Sequence, residues 1–185
     1  MIDRATAQQA RTGSRSRTGL GLVLAAGFAS VTAACAPMAM APPMYGPPPS
    51  AVFTPAAFAW STRGGQASID GRVSFGRAGV VYGCTGSVAL TPDTPYTRAR
   101  FNTLYGSTEQ AALPEAVVRA RTVSDPNGDY RSFVRSTTCT GGRFLFAGLP
   151  DGSWFVIAPV SAGGDRIVLM KRVETRGGRM TTVSL

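Results

Sequence analysis

The stretch 142-GRFLFAGLPDGSWFVIA-158 carries the reading of the fold. In Arg143-Phe144-Leu145-Phe146 the aromatic residues alternate with others, the period-two pattern of a strand with one buried face, and Phe144 and Phe146 are predicted to face in. Leu149-Pro150-Asp151-Gly152 then supplies turn chemistry, because proline presets one φ and glycine tolerates a positive one. Ser153 to Ala158, SWFVIA, is apolar on both parities, which fits a central strand covered on two sides.

The same pattern extends in both directions. In SIDGRVSF (68–75) Ile69, Val73 and Phe75 share one parity, while Ser68, Asp70, Arg72 and Ser74 share the other. SVAL (87–90) repeats it. Ile167–Val173 and Met180–Leu185 are expected to form an antiparallel pair across Gly177 and Gly178. Short strands at this spacing predict an all-β sandwich. Residues 94–137 interrupt it as an insert. Thr94 to Gly106 has Pro95 near its start and glycine at its end, the asymmetry of a short helix, with Phe101, Leu104 and Tyr105 on its inner face. A loop is expected through Pro114, then a strand at Ala116–Arg121 and a turn at Asp125–Asp129.

Two segments carry a family likeness. GRFLFAGLPDGSW (142–154) is similar to the G-x-F-x-F-x-x-L-P-x-G-x-Y signature of carboxypeptidase regulatory-like domains, with Trp154 where tyrosine usually stands. IDGRV (69–73) resembles the I-x-G-x-V opening strand of that family. The resemblance covers residues 67–93 and 138–185, and implies a Greek-key sandwich of the transthyretin or prealbumin type, used as an accessory, binding or structural module, usually without catalysis. Hydroxyisourate hydrolases share that broad fold but rely on histidines and a terminal Tyr-Arg-Gly-Ser. This chain has no histidine and ends TVSL, so it does not fit them.

The first third of the chain is of another kind. Residues 1–18 are polar and hold Arg4, Arg11, Arg15 and Arg17 against Asp3; an uncharged run, LGLVLAAGFASV (20–31), follows. A basic leader, a short apolar run and small residues make a secretory signal, and the run is too short for the ~20 residues of a spanning helix. Thr32-Ala33-Ala34-Cys35 resembles the lipobox of bacterial lipoproteins, with Thr32 where that family prefers leucine. The resemblance implies cleavage after residue 34 and acylation of Cys35, and Ala36 in the next position implies sorting to the outer membrane, facing the periplasm. Ordinary signal cleavage, giving a soluble periplasmic protein, is the alternative. With Cys35 assigned to lipid, Cys84 and Cys139 remain as a disulfide pair in an oxidising compartment, the alternative being two buried thiols. Residues 35–66 hold prolines at 37, 42, 43, 47, 48, 49 and 55 and read as an extended linker, with the domain at 67–185.

Candidates for chemistry are few. Without histidine, a serine or cysteine nucleophile lacks its commonest base. GCTGSVA (83–89) is not a nucleophile elbow, since no glycine follows two places after Ser87. Asp125 and Asp129 read as turn residues rather than calcium ligands, and the Gly-Gly pairs lack phosphate-loop spacing. No catalysis, metal or cofactor is expected.

Charge is more informative. The formal net charge is +9, and loss of residues 1–34 leaves +6, carried by arginine apart from Lys171. Arg98, Arg100, Arg119, Arg121, Arg131 and Arg135 lie in or beside the insert, with Arg119 and Arg121 expected on one face of a strand. Arginine suits carboxylate and phosphate, so these six are the candidate contacts for an anionic partner. Export directs that partner to the envelope rather than to nucleic acid. The leading expectation is a tethered, non-catalytic module docking another envelope component. The alternative is direct binding of envelope glycan or lipopolysaccharide, with Trp60, Tyr96, Tyr105 and Tyr130 as stacking surfaces; exposed rings would favour it, buried ones would favour docking or a structural role.

Overall fold

In a computed structural model of the chain, residues 52–124 and 127–185 are described. The expected signal, the lipobox-like stretch with Cys35, the proline-rich stretch through Ala51, and Asp125 and Pro126 lie outside them. Two sheets stack face to face. The smaller has β1 (Ala67–Arg72) at its centre, with β8 (Arg143–Leu149) antiparallel on one side and β11 (Met180–Ser184) parallel on the other. The larger contains β5 (Ser87–Pro92), β6 (Gln110–Pro114), β7 (Arg135–Thr138), β9 (Gly152–Ala162) and β10 (Asp165–Thr175), in the order β6-β10-β9-β5-β7. Short β4 (Gly83–Cys84) pairs with the far end of β9, and β2 (Gly76–Arg77) with β3 (Val80–Val81) forms a separate hairpin.

Alternation along the strands builds the core. Ile69, Phe144, Phe146 and Val183 from the smaller sheet meet Val88, Leu90, Trp154, Val156 and Ala158 from the larger. Complete burial of one such aliphatic side chain contributes about 1.5–3 kcal/mol. β9 is central, and its other parity also lies against protein: Phe155 is fully buried beneath the insert. Double coverage is the reason this strand is apolar on both sides. Cys84 and Cys139 are bonded, with Cα atoms 6.0 Å apart, and clamp the end of the β5–β7 pair, where Ser87 faces Thr138.

The insert supplies a third layer. Helix α2 (Pro95–Tyr105) begins in a capping box between Thr94 and Thr97 and ends at Gly106 in the left-handed region, φ 71°. Its Phe101 ring lies 5.4 Å from Tyr105 and 4.8 Å from Phe155, both edge-on, so the helix seals the outer face of the larger sheet.

Three features differ from the sequence reading. Residues 110–114, expected as loop, form β6 on the edge of β10. Ala116–Arg121, expected as a strand, lies mostly in helix α3 (Glu115–Ala120). Alanines at 116 and 120 and the Glu115–Arg119 pair one turn apart favour a helix over the strand preference of the adjacent Val117 and Val118. Finally, β10 and β11 do not pair: β10 already has β9 on one edge and β6 on the other, so β11 crosses to the smaller sheet. Gly177 and Gly178, at φ 61° and 67°, make that crossing.

The folded body also starts before Ala67. Helix α1 (Pro55–Phe58) runs into a 3-10 turn, Ala59–Thr62, that packs on the sandwich with Phe58 fully buried. The Phe58 ring lies 4.9 Å from Phe133 and 6.4 Å from Tyr96. Proline at the start of a helix costs no hydrogen bond, so Pro55 fits α1 as well as it fits a linker.

Candidate functional site

The six arginines of the insert do not converge on one surface. Arg98 donates through Nε to Asp93 at 3.0 Å, and Arg172 donates to the same carboxylate at 2.6 Å and to Ser153 Oγ at 2.9 Å. The Asp93 side chain is wholly inaccessible, so this trio stitches α2 to β10. Arg100 lies 5.0 Å from the centre of the Tyr130 ring. Arg119 donates to Glu115 at 2.9 Å, and this bond is the main reason the Glu115 carboxyl sits below the usual range; Arg166 pairs with it at 2.6 Å. Arg121 donates to the Leu104 carbonyl at 2.7 Å, which ties the end of α3 to α2. Helix α3 therefore separates Arg119 from Arg121, where a strand would have aligned them. Arg131 is exposed on the 3-10 turn Asp129–Phe133. Arg135 turns to the segment ahead of β1, donating to the Ser61 carbonyl at 2.8 Å, with its guanidinium 5.7 Å from the Trp154 ring centre.

The aromatic candidates also separate. Tyr96 and Tyr105 are buried, and burial pushes the Tyr105 phenol up to about 12. Tyr130 is half-buried beneath Arg100 and 5.7 Å from Tyr96. Trp60 lines a cleft.

That cleft, of about 500 Å³, lies at the sandwich end where β8 passes to β9 and β10 passes to β11. Trp60, Arg63, Gln66, Leu149, Pro150 and Asp151 line it, with the backbone of Gly64, Gly65, Gly177 and Gly178. Each wall has a local cause. Trp60 is seated by Trp154, whose ring centre is 4.8 Å away, and by Gly152, where a Cβ would fall 2.2 Å from the indole. Trp154 donates Nε1–H to Thr175 Oγ at 3.1 Å, and the Thr175 hydroxyl donates to the Pro150 carbonyl at 2.8 Å, which fixes the 150–152 turn. Asp151 accepts from the N–H of Gly177 at 2.8 Å and, more weakly, of Gly178 at 3.5 Å, holding the second turn against the first. Gly65 approaches the Leu149 carbonyl so closely that a Cβ would fall 1.9 Å from the oxygen. A half-buried indole, an amide, a guanidinium, a carboxylate and glycine backbone thus meet in one open depression. Such a surface offers an apolar plane to a flat ligand face and hydrogen bonds in both directions around it.

Sequence reasoning named Trp60 as a stacking candidate but placed Arg63 and Gln66 in a linker and used Asp151 only as a turn former. The four glycines gave a partial signal, since the pairs Gly64–Gly65 and Gly177–Gly178 marked turns that the fold gathers at one end. Among the described residues no cluster of three or more potential metal ligands occurs, and no helix is long and apolar enough to cross a membrane.

No protein-family profile matches the chain, and no curated protein sequence matches it. Among solved structures, a candidate carbohydrate-binding protein from Pseudomonas aeruginosa is similar to it in fold, with a TM-score of 0.54, 21% identity, and coverage of 73% of this chain and 97% of the other.

Proposed function

We propose that this protein is a non-catalytic binding module of the cell envelope that takes carbohydrate in the Trp60 cleft. The observation that carries the reading is the cleft itself: an indole edge-packed on Trp154 at 4.8 Å, ringed by Arg63, Gln66, Asp151 and open glycine backbone. Sugar rings present one apolar face and a rim of hydroxyls, and that is the complement of this surface. The likeness in fold to the Pseudomonas protein described above supports the same reading. Burial of Tyr96 and Tyr105 removes those two rings from the glycan reading and by itself favours docking or a structural role, but docking through the insert receives less support because Arg98, Arg119, Arg121 and Arg135 are engaged by groups of their own chain.

The sandwich is of the transthyretin-like, Greek-key type in this proposal, and Cys35 carries acyl chains that tether it to the outer membrane, facing the periplasm, with the proline-rich stretch as spacer. Several acyl chains make a stable anchor at about 0.8 kcal/mol per buried methylene. Two experiments test the parts separately. Titration of the folded module against immobilised oligosaccharides should give binding that Trp60→Ala abolishes and Trp60→Phe retains in part; equal binding by all three proteins would remove the cleft from consideration. Intact mass of the native protein should show a chain beginning at acylated Cys35, and an unacylated mass would remove the tether.

A further inference from the structure

The charge around the cleft narrows the class of sugar. Arg63 lines it and is exposed. Across the Gly177–Gly178 turn lies a second depression, bounded by Glu174, Arg176, Gly177, Arg179, Met180 and Thr181, so Gly177 is shared between the two. Arg179 flanks that shared wall: its Nε is 3.9 Å from the position a Cβ on Gly177 would take. The acids of this end are both occupied. Asp151 accepts from the two glycine N–H groups, and Glu174 is paired with Arg176 at 2.8 Å. Among the described residues neither Arg63 nor Arg179 has a side-chain hydrogen bond or ion pair. The uncommitted charges, Arg63 in the cleft and Arg179 in the depression that adjoins it, are therefore both cationic and both guanidinium, a group whose fork matches an oxyanion.

We propose that the ligand of the Trp60 cleft is an anionic sugar, stacked on Trp60, with its carboxylate or phosphate held by Arg63 and Arg179. This rests on the carbohydrate reading of the cleft and adds its charge. Both arginines are exposed, so each bond is partly screened; losing one weakens binding about three- to tenfold.

The test is an array of immobilised oligosaccharides in three sets: neutral (β-glucan, mannan, galactan), uronate (oligogalacturonate, oligoglucuronate) and phosphorylated (phosphomannan), probed with the folded protein and with R63Q, R179Q and W60A. Matching melting temperatures for the two arginine variants, which lose no internal partner, keep folding out of the comparison. The expected result is binding to a charged set over its neutral counterpart, weakened in R63Q and R179Q and by salt raised to about 0.5 M. The uronate and phosphorylated sets distinguish carboxylate from phosphate. Equal or better binding of neutral sugars, still lost in W60A, overturns the charge assignment and leaves the carbohydrate reading standing. Failure to bind any set overturns both.

Discussion

Trp60, contributed by the segment ahead of the first strand, packs edge-on against Trp154 of the central strand, with ring centres 4.8 Å apart and planes at 63°. One indole is fully buried in the core and the other forms the wall of the cleft. The interior of the sandwich thus positions the site directly. Gly152 leaves the space that Trp60 occupies. Gly152→Ala should push the indole out, lowering stability by about 1–3 kcal/mol and shifting tryptophan fluorescence, with loss of sugar binding. A Gly152→Ala protein with unchanged fluorescence and stability would show that the seat is not tight.

The same packing makes residues 52–66 part of the folded unit. A chain beginning at Ala67 should be less stable than one beginning at Val52, and Phe58→Ala alone should cost about 3 kcal/mol, because a fully buried phenylalanine is removed. Urea unfolding of the three proteins checks this; equal midpoints would return the segment to the role of a spacer.

Reduction should loosen the opposite end of the larger sheet. The Cys84–Cys139 bond closes a separation of 55 residues, and replacing both cysteines by serine should cost about 2–4 kcal/mol. Oxidised and reduced protein compared in denaturant should show that difference, with the reduced form unfolding first.

Asp93 is a buried hub for Arg98 and Arg172. Asp93→Ala leaves the half-buried Arg172 without its carboxylate and should destabilise by about 3 kcal/mol, whereas Arg98→Ala, at the exposed side of the trio, should cost no more than about 1 kcal/mol. Similar losses for both would mean that the two bonds are equivalent.

High pH gives a separate handle on the insert. The Tyr105 phenol is held at about 12 by burial, with the neighbouring Tyr130 adding to the rise, against an ordinary value of 10.0. Below about pH 10 neither state releases this proton, and its share of stability is fully present. Between about pH 10 and 12 the unfolded chain ionises first, so stability falls as pH rises. Tyr105→Phe should flatten that fall in a denaturant series, and an unaltered slope would assign it to other groups.

Local pattern was enough for much of the fold. Alternation placed β1, β5 and β8 with the correct inner faces, because side chains on a strand must alternate and one face must leave water. The proline and glycine bracketing 95–106 disclosed α2, and double-sided apolarity disclosed the central position of β9. These are properties of a few consecutive residues, and a sequence contains them whole.

Partnership between distant segments was not legible in that way. Residues 110–114 look like loop until they meet the free edge of β10; once β6 occupies that edge, β11 has no place beside its sequence neighbour and pairs instead with β1. Backbone hydrogen bonds are available to any strand of suitable length, so competition for an edge is settled only in three dimensions. The arginines followed the same rule: their number was visible, but their distribution among Asp93, Glu115 and two backbone carbonyls depended on which helix lay beside which strand. The cleft was least visible of all, since Trp60, Arg63, Gln66, Asp151 and Gly177 come from three segments that share an end of the sandwich only after both sheets have formed. Sequence alone determined those strands whose own side chains alternate and the chemistry available to them; tertiary packing decided the remaining strands and their partners, which charges stayed free and where an aromatic ring remained open to a ligand.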